Sequence, residues 1–374
     1  MKQRFFLLTV LFAATITLNA QEATMRFKKV AYQMNDQWFT TAEARCIADS
    51  VMKYQFPSGG WAKNTDWHLS TPGATEAKQL VWNQIHSDNG VGSTIDNGAT
   101  TSELLFLAKI YKATKKKAYR EALLKGIDYL LAAQYDNGGW PQYYPHKPKN
   151  NEGHPFYSDH ITFNDNAMVF VMQTLRSIAN EQAPYDVLNL PEETKERLNQ
   201  SFNKGIECIL NCQIKKNGRL TVWCQQHDEY TLAPAPARAY ELASFTGSHE
   251  TVEILELLMS LPAPTPRVLA SVTAAVEWLK SHAIQDMALE TYTNRDGKRD
   301  RRLVHRFGSQ IWARYYNLDT EEPYVCDRDG IPQPSLEYIG YERRNGYGWY
   351  GTTPANVIKR YPEWMRSLVN INNN

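Results

Sequence analysis

A repeat of 79 residues is the feature that most constrains how this chain can fold. Gln55, Gln134 and Gln213 stand at that interval (134 − 55 and 213 − 134), and each is followed by a glycine-containing turn. The first two turns end in the same Gly-Gly-Trp sequence. Each repeat is long enough for a pair of helices, which cannot bury its apolar face alone, so repeated pairs must stack on one another.

Two interleaved series of helices follow from the apolar pattern, in which apolar residues recur at i, i+3 and i+4. The first series is predicted at Ala42–Tyr54, Ala118–Tyr135, Glu193–Gln213 and Arg267–Gln285. The second is predicted at Thr100–Ala113, Met168–Asn180, Ala239–Thr246 and Gln310–Leu318. Strand signals are sparse, with Leu220–Cys224 the best of them. The sequence therefore predicts an all-α fold, an (α/α) toroid or incomplete barrel of helix pairs with long loops at one end.

The domain organisation follows from the repeat and from the amino-terminal segment. Lys2 and Arg4 precede a short apolar run, and small residues end the segment at Ala20. This pattern predicts a signal peptide over residues 1–20 and a secreted or periplasmic protein. No later segment has the ~18 apolar residues that a membrane span requires. With no internal linker, residues 21–374 are predicted to form one catalytic toroid domain.

Composition excludes several classes of protein. Lys and Arg number 41 against 40 Asp and Glu, so the formal net charge of +1 argues against nucleic-acid binding through bulk positive charge. Hydrophobic residues make up 43% of the chain, which excludes a disordered protein. Aromatic residues reach 12%. Trp61 and Trp140 in the repeat turns are either buried plugs, the favoured reading, or platforms for sugar rings.

The five cysteines cannot all form disulfides, because their number is odd. Cys208 and Cys212 are four residues apart on a predicted helix and share one of its faces. No second pair of cysteines or histidines has zinc spacing. We therefore expect buried free thiols.

Polar residues at the starts of the second helical series indicate a functional site, because in a toroid these starts meet at one end of the ring. They are Asp96 with Asn97, Asn164 with Asp165, Arg238, and Arg306. The acids are also good helix N-caps, which is an alternative reading. Arginines at helix starts oppose the helix dipole, which favours an anionic ligand there. Oxygen donors suit Ca²⁺ and arginines suit carboxylates, so the combination predicts an enzyme acting on acidic polysaccharide.

Six stretches of this sequence resemble the family 10 polysaccharide lyases, the pectate lyases with an α/α toroid. They are Thr94–Thr100, Tyr157–Met168, Leu220–His227, Ala237–Leu242, Asp327–Gly330 and Tyr341–Trp349. The resemblance implies calcium-assisted β-elimination of de-esterified homogalacturonan (polygalacturonate) with an arginine base. It further implies products with 4,5-unsaturated galacturonate ends.

The resemblance also implies roles for individual residues. Arg238 looks like the catalytic base, and Arg328 like the arginine that holds the substrate carboxylate. Asp96 and Asp165 look like the acids around the calcium ion, with Asp96 also near the substrate carboxylate. The further candidates for substrate contacts are Asn97, Arg306 and Lys63. The expected partners are pectin oligosaccharides, with no nucleic acid, and the protein is expected to be a monomer.

Two other functions remain open from the sequence alone. An inverting glycoside hydrolase on a similar toroid would need two carboxylates, for which Glu103 or Glu241 is a candidate acid. A non-catalytic polysaccharide-binding protein of the cell surface would keep the aromatic residues and could lack the base. The presence of Arg238 in its motif argues against the binding protein.

Overall fold

The computed structural model describes residues 25–87, 91–147 and 157–372, and the side chains of these residues up to 368. The predicted signal peptide lies outside the described residues. The described chain divides into two compact units. The first unit runs to Ala133 and takes in Tyr143–Pro145 and Thr174–Leu198. The second comprises Gln134–Gln142, His146–Gln173 and the chain from Asn199 onward.

Within the described residues there are eleven α-helices and eleven short or long strands, numbered in chain order. The helices α1–α11 are Phe27–Gln33, Ala42–Lys53, Pro72–Ile85, Thr101–Thr114, Lys117–Ala132, Ala167–Ala179, Glu192–Cys212, Glu250–Met259, Pro266–Ser281, Tyr341–Gly346 and Pro354–Asn372. The strands β1–β11 are Ile161–Thr162, Lys215–Lys216, Arg219–Leu220, Gln226–His227, Ser244–Thr246, Ile284–Thr293, Arg299–Ala313, Tyr315–Asn317, Pro323–Cys326, Pro332–Gln333 and Tyr350–Gly351.

All four helices of the first predicted series are confirmed, as α2, α5, α7 and α9. Their apolar stripes supply buried residues such as Ile47, Leu123 and Val272. Thr41 and Thr265 accept hydrogen bonds as N-caps of α2 and α9. The first two helices of the second series are also confirmed, as α4 and α6.

The repeated glutamines have one structural role in all three repeats. The side-chain amide of Gln55 donates to the carbonyls of Gly59 in its own turn and Ala122 in α5, at 2.7 and 2.9 Å. Gln134 and Gln213 make the equivalent pairs of bonds, with the second acceptors being Ser201 in α7 and Ser271 in α9. Each glutamine therefore links a turn to the next helix of the first series by satisfying backbone carbonyls there.

The tryptophans of the repeat are buried plugs. Trp61, Trp140 and Trp223 are fully buried. The indole N–H of Trp61 donates to the Val51 carbonyl at 2.8 Å, and that of Trp223 donates to the Ile209 carbonyl at 2.7 Å. Because their faces are covered by the core, Trp61 and Trp140 do not present a platform for a sugar ring.

The predicted all-α class, an (α/α) toroid, is wrong: the fold is mixed α/β. The second unit contains antiparallel sheets with the strand orders β10-β9-β8-β5, β11-β7-β6, β1-β4 and β2-β3. The predicted helix Ala239–Thr246 is a loop followed by β5, and Gln310–Leu318 forms the end of β7 and all of β8. The predicted strand Leu220–Cys224 is confirmed only at Leu220, in β3.

Local chemistry explains these errors. Ser244–Thr246 is buried along its whole length and pairs with Tyr315–Asn317. Just after this strand, a Cβ at position 247 would lie 2.4 Å from the Tyr316 ring, so only glycine allows the close approach of the chain to β8. Tyrosine and threonine favour strands, and their pairing outweighs the weak helical pattern.

The cysteines are free among the described residues, but they are not all buried as we predicted. Cys46 is exposed on α2, and the other four are buried. The sulfurs of Cys208 and Cys212 are 3.9 Å apart on α7. Burial raises the pKa of the Cys224 thiol to about 11 and so disfavours the reactive thiolate. No helix among the described residues has the length and apolar character to cross a membrane.

Candidate active site

The predicted site residues fall in both compact units. Lys63, Asp96 and Asn97 belong to the first unit. The second unit contains the remaining four, Asp165, Arg238, Arg306 and Arg328. Each group is described within its own unit.

The first group is built on a tight turn before α4. Asp96 is buried, and its carboxylate accepts hydrogen bonds from Lys63 Nζ at 2.5 Å and from the Asn97 backbone N–H at 2.9 Å. Asn97 has a φ of 55°, a left-handed conformation that costs free energy for any residue with a Cβ. Asp96 does not cap α4, because Thr100 stands at the N-cap position. The capping alternative is therefore wrong for Asp96, whose carboxylate is paired with an ammonium group.

A second turn of the same kind precedes α6 in the other unit. Asp165 and Asn166 have φ values of 51° and 64°. The guanidinium of Arg314 donates to Asn164 Oδ1 at 3.2 Å and to Asp165 Oδ1 at 3.0 Å. Asn166 Oδ1 is buried and accepts no hydrogen bond from the described residues. This turn thus offers one amide oxygen without a donor beside a carboxylate that is partly exposed.

Arg314 is a central residue that our sequence analysis missed. It lies between β7 and β8, its side chain is 4% exposed, and it forms an ion pair with the fully buried Glu250. Its guanidinium carbon lies 4.7 Å from the centre of the Tyr347 ring. Burial lowers the pKa of Arg314, but the charges of Glu250, Asp165 and neighbouring tyrosines outweigh burial and hold the pKa well above its ordinary value. Arg314 is therefore a permanent, fixed cation.

Three more arginines surround Tyr240. The guanidinium carbons of Arg238, Arg328 and Arg343 lie 5.0, 5.5 and 4.4 Å from its ring centre. Arg343 also lies 5.5 Å from the ring centre of Tyr347. Cations over aromatic faces are attracted to the ring electrons, which holds these like charges together. We call Arg238, Arg314, Arg328 and Arg343 the arginine cluster.

Arg238 is paired with a buried acid. Its Nε donates to Glu241 Oε2 at 2.9 Å, and a terminal nitrogen donates to Oε1. The Tyr347 hydroxyl donates to the same carboxylate at 2.7 Å. The Arg238 side chain is 36% exposed, so it reaches solvent where Arg314 does not. Burial lowers the pKa of Arg238, but the hydrogen bonds and charge of Glu241 outweigh burial and raise the pKa above its ordinary value.

Arg328 and Arg343 share an exposed acid. Arg328 bonds both oxygens of Glu342 at 3.2 Å, and Arg343 Nε donates to the same carboxylate at 2.9 Å. Hydrogen bonds from Arg343 and then Arg328 lower the pKa of Glu342 to about 2. An exposed ion pair of this kind is weak. A substrate carboxylate can therefore compete with Glu342 for Arg328 at little cost.

Arg306 lies outside the arginine cluster. It is an exposed residue of β7, so its predicted place at the start of a helix is wrong. The prediction failed because this region is a β-hairpin and not a helix, so Arg306 lies on a strand and not at a helix start.

Glu103, a candidate acid for the hydrolase alternative, is a buried residue of α4. The Trp67 indole N–H donates to its carboxylate at 2.8 Å, and Ser102 donates at 3.2 Å. Desolvation by burial raises the pKa of Glu103 to about 7. It lines a cavity of about 320 Å³ in the first unit, together with Asn97.

Replacing Glu103 with glutamine is expected to stabilise the protein above neutral pH. Because its pKa is raised in the folded state, the stability that Glu103 contributes is complete below the unfolded pKa and is lost as pH rises through 7. The loss amounts to about 3 kcal/mol at ~1.4 kcal/mol per pKa unit. Thermal unfolding at about pH 4 and about pH 8 should show Glu103→Gln gaining on the wild type only at the higher pH. The exposed Glu76→Gln is the control, and a pH-independent difference would contradict the prediction.

One group among the described residues has three ligand atoms close enough for a metal. His160, Asp228 and Glu229 offer atoms within 4.8 Å of one another. His160 Nδ1 lies 2.8 Å from Glu229 Oε2, and Asp228 accepts three hydrogen bonds from Thr231 and Tyr230. A nitrogen ligand does not suit calcium, which prefers oxygen. The oxygen-rich turn at Asp165 and Asn166 is the better calcium candidate in this unit.

Comparison with known proteins identifies relatives of the chain. A family model described as pectic acid lyase matches residues 55–358. A structure of a mutant family 10 polysaccharide lyase from Cellvibrio cellulosa, in complex with trigalacturonic acid, is 34% identical with a TM-score of 0.71. The match covers 90% of this chain and 95% of that chain. A second structure of that lyase gives the same identity and TM-score, with 94% of it covered. None of the curated proteins matches the chain.

Proposed function

The chain belongs to the pectic acid lyase family, polysaccharide lyase family 10, and is a pectate lyase; on that premise we propose how it cleaves polygalacturonate. The reaction is β-elimination with Arg238 as the base, assisted by calcium. The observation behind this proposal is the arginine cluster, in which an exposed arginine stands beside fixed cations. The neighbour's trigalacturonic acid is a ligand with one carboxylate on every sugar, which is the chemistry that such a cluster recognises.

The difficult step in this reaction is removal of the proton at C5 of a galacturonate residue. The base takes that proton, the electron pair of the C5–H bond forms the C4–C5 double bond, and the C4–O4 bond breaks with its electrons on the leaving oxygen, which takes up a proton from solvent. Negative charge develops on the carboxylate next to C5 as the proton departs. Fixed cations around that carboxylate stabilise the charge without having to reorganise.

The arginines divide these tasks by their exposure. Arg328 is the most exposed, and its weak partner Glu342 can be exchanged for a substrate carboxylate. Arg314 is held immobile by Glu250 and keeps its charge at all working pH values. Arg238 is partly exposed to solvent and is held by one buried partner, Glu241, so its guanidinium can contact the substrate while its position stays fixed.

Calcium fits the turn at Asp165 and Asn166. The buried Asn166 Oδ1 has no hydrogen-bond donor among the described residues, and the Asp165 side chain is 37% exposed. Both are oxygen ligands of the kind that calcium prefers. A bound calcium ion would neutralise the substrate carboxylate and make the adjacent C–H bond more acidic. Asp96 as a calcium ligand, and Lys63, Asn97 and Arg306 as substrate contacts, remain predictions.

Removal of divalent cations is expected to abolish activity. The mature protein would be incubated with polygalacturonate while the ultraviolet absorbance of the unsaturated uronide is followed, with and without a chelator. We expect the absorbance to rise, the chelator to stop it, and added calcium to restore it. A rise that the chelator leaves unchanged would contradict the calcium proposal. New reducing ends without absorbance would indicate a hydrolase, and binding without either would indicate a binding protein.

The same proposal includes export and oligomeric state. A signal peptide over residues 1–20 would deliver the enzyme to the periplasm or the outside, where a polymeric substrate is met. We propose that the exported enzyme acts as a monomer, which sedimentation of the mature protein would test.

A further inference from the structure

A long β-hairpin in the second unit is not used by the mechanism above. It is formed by β6 (Ile284–Thr293) and β7 (Arg299–Ala313), which turn at Gly297. From Thr293↔Arg299 to Met287↔His305 the two strands pair without interruption. Because successive side chains of a strand point to opposite faces, this register assigns every residue to one of two faces.

Acidic residues occur on only one of these two faces. The acidic face comprises Asp300, Arg302 and Val304 with their partners Tyr292, Glu290 and Ala288. The other face, which we call the basic face, comprises Arg299, Arg301, Leu303 and His305 with their partners Thr293, Thr291, Leu289 and Met287. The basic face thus combines cations with two threonine hydroxyls and contains no carboxylate.

The charges of the acidic face are already paired. Asp300 accepts two hydrogen bonds from Arg344 at 2.7 and 2.9 Å, and these bonds lower its pKa. Glu290 bonds Arg302 at 2.8 Å. On the basic face, by contrast, no carboxylate of the described residues lies within ion-pair distance of Arg299 or Arg301. Two positive charges therefore remain available to an external anion.

The basic face continues directly from the arginine cluster. Arg301 donates to the backbone carbonyl of Tyr347 at 3.3 Å, and the ring of Tyr347 lies against Arg314. Arg299 follows at the next position of the same face. Lys298, which precedes Arg299 in the turn, lies opposite Asn294 and 5.8 Å from the Tyr341 ring centre, so by alternation it belongs to the acidic face.

We propose that the basic face of the hairpin binds galacturonate residues that extend beyond the reacting sugars. This inference rests on the proposed function, since it assumes a polyuronate at the arginine cluster. A polyuronate carries a carboxylate on every sugar, and a row of unpaired cations that begins at the cluster matches that repetition. Binding there would distinguish long chains from short oligomers, because only long chains reach Arg299.

The test compares substrates of different length. In the charge-reversal variant Arg299→Glu, kcat/KM on polygalacturonate should fall roughly 5-fold, because one exposed attraction is lost and a repulsion of similar size is gained. The same variant should cleave trigalacturonate at the wild-type rate. At about 0.5 M salt, which screens exposed charges, the polymer difference should disappear. Arg302→Gln, on the acidic face of the same strand, is the control and should leave kcat/KM unchanged on both polygalacturonate and trigalacturonate.

The outcomes separate this inference from the function on which it rests. A polymer-specific loss that salt removes supports the basic face as a binding surface. No loss on the polymer, or an equal loss on the trimer, would overturn it. Failure of the wild-type enzyme to form any unsaturated product would overturn the proposed β-elimination instead.

Discussion

Arg238→Lys is expected to retain substrate binding and to lose about 10²- to 10⁴-fold in kcat, the usual contribution of a positioned general base. Lysine keeps a positive charge near Glu241 and so limits the structural damage. It cannot, however, reproduce the forked guanidinium that bonds both Glu241 oxygens. Turnover would be followed by ultraviolet absorbance, and trigalacturonate binding by calorimetry.

The pH dependence gives a second test of the same residue. The Arg238 side chain accepts a proton only as a neutral guanidine. The hydrogen bonds and charge of Glu241 raise the pKa of Arg238 above its ordinary value, so this neutral form is scarce. Below that pKa the neutral fraction rises tenfold per pH unit, so kcat/KM should increase with pH between about 7 and 10. A plateau reached near pH 7 would instead indicate a carboxyl base with a raised pKa.

Controls for Arg238 must separate chemistry from folding. Arg238→Ala would leave the buried Glu241 with only the Tyr347 hydroxyl, so thermal unfolding has to accompany every activity measurement. Arg267→Lys is the matched surface control, since Arg267 is half-exposed on α9 and pairs with the exposed Glu207. Wild-type turnover in Arg238→Lys would refute the role of base.

Helical periodicity predicted much of the first unit and of the helices that follow. It failed at the β6–β7 hairpin, where much of both faces is exposed and the strands carry charges in place of alternating apolar residues. The turn residues Asp296 and Gly297 were a hairpin signal that we did not use. The repeat also misled us about position, because strands occupy the places predicted for the second helices of the third and fourth repeats, and the next helices, α8 and α11, begin only at Glu250 and Pro354.

The sequence motifs identified the exposed arginines of the cluster but not its buried ion pair. Arg238 and Arg328 were identified in separate motifs, and the structure brings both to Tyr240. Glu250 and Arg314 were missed, because they are 64 residues apart and only the tertiary fold pairs them. The available signal was an arginine inside a run of buried aromatic residues, since a buried charge requires a partner.

Glu250→Gln is expected to be the most destabilising conservative substitution at the site. Removing one partner of a buried ion pair leaves an uncompensated charge, which costs about 3–5 kcal/mol. Arg314 would keep only Asn164 and the partly exposed Asp165. We expect a lower midpoint of thermal unfolding and, because Arg314 is then less firmly held beside Tyr347, a loss of kcat/KM of at least tenfold.

A double-mutant cycle distinguishes this specific pair from general damage to α8. If Glu250 and Arg314 stabilise each other, Glu250→Gln/Arg314→Gln should be less destabilised than the sum of the single variants, by about 2 kcal/mol. Glu253→Gln is the matched control, since Glu253 is a half-buried acid on the same helix whose pKa is raised by burial alone. It should not lower stability. Additive effects in the cycle would mean that Glu250 does not hold Arg314 in place, and the fixed cation of the mechanism would need another support.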